Sequence, residues 1–123
     1  MAALTANSWT VTVRKRTLNA SSQKRETYGV ITLAGTDTYP TNGIPLPDKG
    51  KFGMVRELDQ LTFIGVSGEG GGGGDQYMTN YYKEDYTMVF YEEEDTAAGG
   101  PLPEAGTDEV PGPRSWDFIA RGW

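Results

Sequence analysis

The side chains that could do chemistry in this chain are 17 Asp and Glu, seven Tyr, the Lys and Arg set, and Ser and Thr, because it contains neither His nor Cys. Without imidazole or thiol there is no Ser-His-Asp or Cys-His nucleophile, no histidine general base and no Cys-ligated zinc. Disulfides are excluded too. Carboxylate pairs remain, but two-carboxylate hydrolysis needs two acids facing each other across a cleft, and no spacing here selects such a pair. Glu92, Glu93, Glu94 and Asp95 form an anionic run that could hold Ca²⁺ through its oxygens. Adjacent strand residues point to opposite faces, so these carboxylates do not converge unless the chain bends. A solvated strand end that discourages edge pairing is the simpler reading. Gly70 to Gly74 lacks the following Lys-Ser/Thr of a phosphate loop and opens no helix, which leaves a mobile loop. The tyrosines, with Trp9, Trp116 and Trp123, could form a carbohydrate platform, yet aromatic rings are also ordinary filling for β cores and interfaces. No catalytic residue, metal site or cofactor is expected, and the chain is not expected to be an enzyme.

The elements that would position these groups read as strands. Trp9, Val11 and Val13 alternate with Thr10, Thr12 and Arg14, a period of two that marks a half-buried strand over Ser8 to Leu18. The run Arg14-Lys15-Arg16 takes that strand out of the core. Tyr28 to Leu33 is apolar on both faces, as in a central or covered strand. Met54 to Val66 has a first half compatible with a helical turn and a second half, Leu61 to Val66, with strand composition. Tyr77 to Tyr82 and Tyr86 to Tyr91 are joined by Lys83-Glu84-Asp85 at hairpin spacing. Trp116, Phe118 and Ala120 alternate with Asp117, Ile119 and Arg121 in a final strand. The expectation is a single all-β domain over 1–123, a small antiparallel β-sandwich or barrel of about six strands.

Between these strands lie two long irregular segments. Residues 34–53 hold three Pro and four Gly and read as an extended Pro-rich arm with no regular element. Residues 92–113 read as an acidic Gly/Pro-rich loop. Connections beyond about 12–15 residues are uncommon in compact domains unless functional or disordered. A Pro-rich arm loses less entropy on ordering than a Gly/Ser chain, which suits docking onto a neighbour.

Composition narrows the partners. The net charge of −6 argues against nucleic acid, which needs clustered cations. The segment MAALTANSWTVTV has no charged stretch followed by an apolar one, and no apolar run approaches the ~18 residues of a membrane span. A soluble protein made in a cytoplasm is expected. Charge is also unevenly placed: five bases and no acid lie between Arg14 and Arg25, and nine acids and no base between Glu84 and Glu109. Complementary charge between subunits guides register and encounter more than it adds affinity.

The stretch GVITLAGTDTYPTNGIPLPDKGKFGMVRELDQLTFIG resembles small virion proteins of tailed bacteriophages. In that pattern a strand precedes a G-x-x-x-Y-P-x-x-G-[IV]-P-L segment, here Gly35, Tyr39, Pro40, Gly43, Ile44, Pro45 and Leu46, and then a strand carrying Leu58 and Leu61. Tyr81 to Phe90 resembles the paired strands of that group, and FIARGW its closing strand. The glycine loop and the acidic segment 92–113 depart from the pattern. The resemblance implies a capsid decoration or cement protein, on the outer surface of the virion after synthesis in the host cytoplasm. Its implied partner is the major capsid protein, with a homo-oligomer, trimer before dimer. A tail, neck or head-fibre component is the runner-up, and a host-surface or carbohydrate-binding module is the reading from another class. On the cement reading, the contact residues are Tyr39, Pro40, Ile44, Pro45 and Leu46, followed by Arg14, Arg16 and Trp123. The alternative for 39–46 is that the segment folds over its own sheet and plugs the end of the core.

Overall fold

A computed structural model describes residues 2–19, 21–35, 37–67, 77–92, 104–105 and 113–123. The strands are β1 (Trp9–Leu18), β2 (Arg25–Leu33), β3 (Ile44–Pro45), β4 (Leu58–Ser67), β5 (Tyr77–Tyr82), β6 (Thr87–Glu92) and β7 (Arg114–Gly122). Short 3-10 turns cover Ala6–Ser8 and Lys49–Phe52. Every strand pairing is antiparallel. One sheet has the order β1-β2-β7-β4 and the other β3-β6-β5. Two separate sheets around one core make the fold sandwich-like rather than a closed barrel.

β2 and β7 occupy the centre of the four-stranded sheet, which explains why β2 is apolar on both faces. Its inward set, Thr27, Gly29, Ile31 and Leu33, is buried against Ala120, Phe118 and Trp116 of β7. The period of two read in the last strand holds, with Trp116, Phe118 and Ala120 all buried. β1 stays paired to Leu18 but leaves the core after Val13, where its register to β2 shifts by a bulge between Val13 and Lys15. Gly29 faces that bulge. A Cβ there would lie 2.1 Å from the Thr12 carbonyl oxygen and 3.0 Å from the Phe118 ring.

Two expectations need correction. Met54 to Gln60 holds no helical turn: the chain bends after Met54, and β4 already begins at Leu58. The segment 34–53 is not free of regular structure either. It contributes β3, whose Ile44 pairs with Met88, and the turn Lys49–Phe52, capped by the Asp48 carboxylate on the Gly50 N–H at 3.1 Å. Gly53 closes that turn at φ +83°, a left-handed position that favours glycine. The turn carries Phe52 into the core, where it meets Phe118 edge-on at 5.5 Å. The glycine run 70–74 and the acids Glu93, Glu94 and Asp95 lie outside the described residues.

The hairpin is present, with β5 and β6 joined by Lys83–Tyr86. Lys83 ties this turn to β4 through Asp59 at 2.6 Å and Glu57 at 2.9 Å. Gly29→Ala should destabilise the fold by about 1–3 kcal/mol, because the added methyl meets backbone that cannot rotate away. Urea denaturation should show a lower midpoint at unchanged slope.

Candidate interaction surface

The residues expected to make contacts divide sharply. Tyr39, Ile44 and Leu46 are fully or almost fully buried in this chain's own core, while Pro40 is half-buried and Pro45 exposed. The segment 39–46 therefore folds over its own sheet, and three of its five expected contact residues face inward. Full burial of a large apolar side chain contributes about 1.5–3 kcal/mol. Freeing Ile44, Leu46 and the connected Phe52 to reach a neighbour would thus cost several kcal/mol. Hydrogen bonds fix the segment further. The Trp9 indole N–H donates to the Pro45 carbonyl at 2.9 Å, and the Leu46 N–H donates to the Tyr86 carbonyl at 3.2 Å. The Tyr86 hydroxyl donates to the Pro47 carbonyl.

Tyr39 is the most constrained of these. Its hydroxyl donates to Glu104 Oε2 at 2.6 Å and accepts from the Phe90 N–H at 3.2 Å. The same Glu104 oxygen accepts from the Asn42 N–H at 3.0 Å. Burial, then the hydrogen bond to Glu104, pushes the Tyr39 phenol well above the ordinary tyrosine range. Burial does the same to Tyr86. Glu104 and Ala105 dock on β6: Glu104 forms a bridge to Tyr91, and the Ala105 N–H donates to the Phe90 carbonyl at 2.8 Å. Most of the segment 92–113, read as an acidic Gly/Pro-rich loop, lies outside the described residues; of it, Glu104 and Ala105 are held against β6.

Trp123 is anchored as well. Its carbonyl oxygen accepts from three consecutive backbone N–H groups, Val55 at 2.9 Å, Arg56 at 2.7 Å and Glu57 at 3.1 Å. Its own N–H donates to the Glu57 carbonyl at 3.0 Å, and the Lys24 ammonium lies 5.3 Å from the centre of its ring. It is a half-buried seam between β7 and the start of β4.

Arg14 and Arg16 remain as surface residues. Both are exposed on β1, an edge strand that pairs with β2 alone among the described residues. Lys15 and, across the turn, Lys24 and Arg25 join them. None of these five cations forms an ion pair among the described residues. The neighbouring acid Glu26 faces Arg121 at 3.3 Å and accepts the Tyr28 hydroxyl at 2.6 Å. That hydroxyl, more than Arg121, holds the Glu26 carboxyl below the usual carboxylate range. Arg16, Leu18 and Arg25 line a depression of about 110 Å³ with Thr27 and Gly53 in its wall. Leu18 is 58% exposed there. The result is a strand edge, unpaired among the described residues, that carries clustered positive charge and one exposed apolar side chain on a chain of net charge −6; of its cations, Arg25 also donates to the Gly53 carbonyl at 3.3 Å.

Sequence reasoning missed Leu18 as a member of this surface and placed Lys24 and Arg25 only within the basic run from Arg14 to Arg25. The cluster of five bases was visible, but their meeting depends on the β1–β2 hairpin, in which Leu18 pairs with Arg25. No protein-family model, curated protein or solved structure matches this chain.

Two outcomes test this placement. Ile44→Ala should lower stability by about 2–5 kcal/mol, as for a core residue, whereas a contact residue would leave the denaturation midpoint unchanged. Tyr39 and Tyr86 set an alkaline limit. Below the ordinary phenol value near 10 both folded and unfolded chains keep these protons. Above it the unfolded chain releases them while the folded core retains them, so stability should fall as pH rises past about 10. Tyr39→Phe with Tyr86→Phe should flatten that decline in pH-dependent melts, at a cost near neutrality of about 1–3 kcal/mol for each hydroxyl lost.

Proposed function

We propose that this protein is a structural component of a tailed-phage virion that binds the outer capsid surface and stabilises contacts between major capsid subunits. The observation that carries this reading is the cationic edge of β1. A net-acidic chain that sets Arg14, Lys15 and Arg16 on an edge strand, with Lys24 and Arg25 across the hairpin turn and none of the five in an ion pair among the described residues, offers a defined face to an acidic partner surface. Charge of this kind raises encounter rate and fixes orientation, and it weakens with salt. An open strand edge adds backbone donors and acceptors that an extended segment of a partner can pair with.

The resemblance to small phage virion proteins supports the reading in a modified form. Its pattern residues Tyr39, Ile44, Leu46, Leu58 and Leu61 are all buried here, so in this reading the pattern describes the core and not the contact surface. The contact surface belongs elsewhere, and Arg14 and Arg16 keep their assigned role while Tyr39, Ile44 and Leu46 become the support beneath it. Many copies on a shell make modest per-copy affinity sufficient, because contacts act together. A homo-oligomer with the major capsid protein as partner is part of the proposal.

The test is binding of the purified protein to empty expanded shells of the phage that encodes it. Saturable binding is expected, weaker at higher salt. The triple charge reversal Arg14→Glu, Lys15→Glu, Arg16→Glu should lower affinity by about tenfold or more while leaving the fold intact. Unchanged affinity in that variant would remove β1 as the contact. Absence of binding to mature and expanded shells alike would remove the capsid role.

A further inference from the structure

The three-stranded sheet has a second feature that the capsid reading does not use. β6 alternates, with Met88 and Phe90 turned into the core and Thr87, Val89 and Tyr91 on the opposite face. On that opposite face is an open recess of about 290 Å³, lined by Asn42, Tyr82, Asp85, Val89, Tyr91 and Glu104. The Tyr82 and Tyr91 hydroxyls lie 2.6 Å apart, and both side chains line the recess, where they offer it an aromatic ledge. Tyr82 is 41% exposed, and the exposed Met78, paired with Tyr91, extends the ledge. That hydroxyl contact is the main reason the Tyr91 phenol is pushed up to about 12.

The polar groups of the recess have capacity to spare. Glu104 Oε2 is held by the Tyr39 hydroxyl and the Asn42 N–H, while its Oε1 has no hydrogen-bond partner among the described residues. The Asp85 carboxylate and the Asn42 side-chain amide are likewise uncommitted among the described residues. Ionised carboxylates only accept hydrogen bonds, so the ligand must supply donors. Two carboxylates repel an anion. A calcium ion is held mainly by clustered carboxylates, and no group of three or more acids that could hold a metal ion occurs among the described residues. A protein partner at a stable interface covers roughly 800 Å² per side, far beyond this recess.

We propose that the recess binds one unit of a neutral saccharide, its C–H face on the Tyr82–Tyr91 ledge and its hydroxyls donating to Glu104, Asp85 and Asn42. A pyranose has an apolar face and a rim of donors, which matches an aromatic ledge bordered by planar acceptors. Hydroxyl-to-carboxylate bonds are the stronger, charge-assisted kind. Glu104 is pre-positioned by Tyr39 from inside the core, so the recess is largely formed before a ligand arrives.

Titration of the isotope-labelled full chain with glucose, galactose, mannose and N-acetylglucosamine, followed by amide chemical shifts, tests this directly. At least one sugar should give saturable shifts centred on Asn42, Asp85, Val89, Tyr91 and Glu104, with a dissociation constant in the millimolar range. Asp85→Ala, at an exposed turn position, should weaken that binding by about tenfold without unfolding the chain, and Tyr91→Leu by at least as much. Absence of saturable shifts with all four sugars overturns the proposal. Shifts unaffected by both substitutions, or a response to Ca²⁺ with none to sugar, overturn it equally.

Discussion

Phe90 on β6 packs against three rings that come from three different places in the chain: Trp116 of β7 at 5.5 Å, Tyr39 at 5.9 Å and Trp9 of β1 at 6.4 Å. Trp116 in turn stacks on Phe63 of β4 at 5.1 Å. This cluster is where the two sheets meet. It also explains why the segment 34–53 cannot leave. Tyr39 is wedged against Phe90 by its ring and bonded to the Phe90 N–H by its hydroxyl. From there its proton reaches Glu104, which anchors an otherwise remote stretch of chain to the edge of β6. The contact of Tyr39 with Phe90 therefore fixes the position of the arm and, through Glu104, one wall of the recess on the opposite face. Aromatic pairs add about 0.5–1.5 kcal/mol each beyond their buried area, so a connected cluster is a substantial share of a small domain's stability.

Much of this was legible in the residues. The alternation of Trp9, Val11 and Val13 and of Trp116, Phe118 and Ala120 placed both strands and their inward faces, because a period of two has a direct geometric meaning. The hairpin around Lys83-Glu84-Asp85 followed from spacing. What was illegible was the destination of the Pro/Gly-rich segment. Proline and glycine mark where regular structure stops, and they say nothing about whether the apolar residues between them turn inward. Tyr39, Ile44, Leu46 and Phe52 are spaced irregularly, so no periodicity showed that all four point into one core. Tertiary contacts with β6 and β7 made that choice.

The surface features were harder still. The basic cluster depends on a hairpin that sets Arg25 opposite Leu18 and on a bulge that turns β1 out of the core. The recess joins residues 42, 82, 91 and 104, which no linear pattern relates. The charge asymmetry was visible in the chain, yet its meaning required knowing that one end of it falls on a strand edge with no partner among the described residues. Burial of the arm also shifts weight between contact residues. With Ile44 and Leu46 committed to the interior, Arg14 and Arg16 are the expected contact residues that stay exposed on a strand edge, and the proposed contact falls to them.

The central claim is that the β1 edge is the face a capsid subunit covers. Hydrogen–deuterium exchange of the protein alone and on saturated expanded shells measures this at the backbone. The account predicts slowed exchange concentrated over residues 14–18 and 24–25, with the already protected core unchanged. Slowed exchange confined to β5 and β6, with residues 14–18 exchanging as in the free protein, would contradict it.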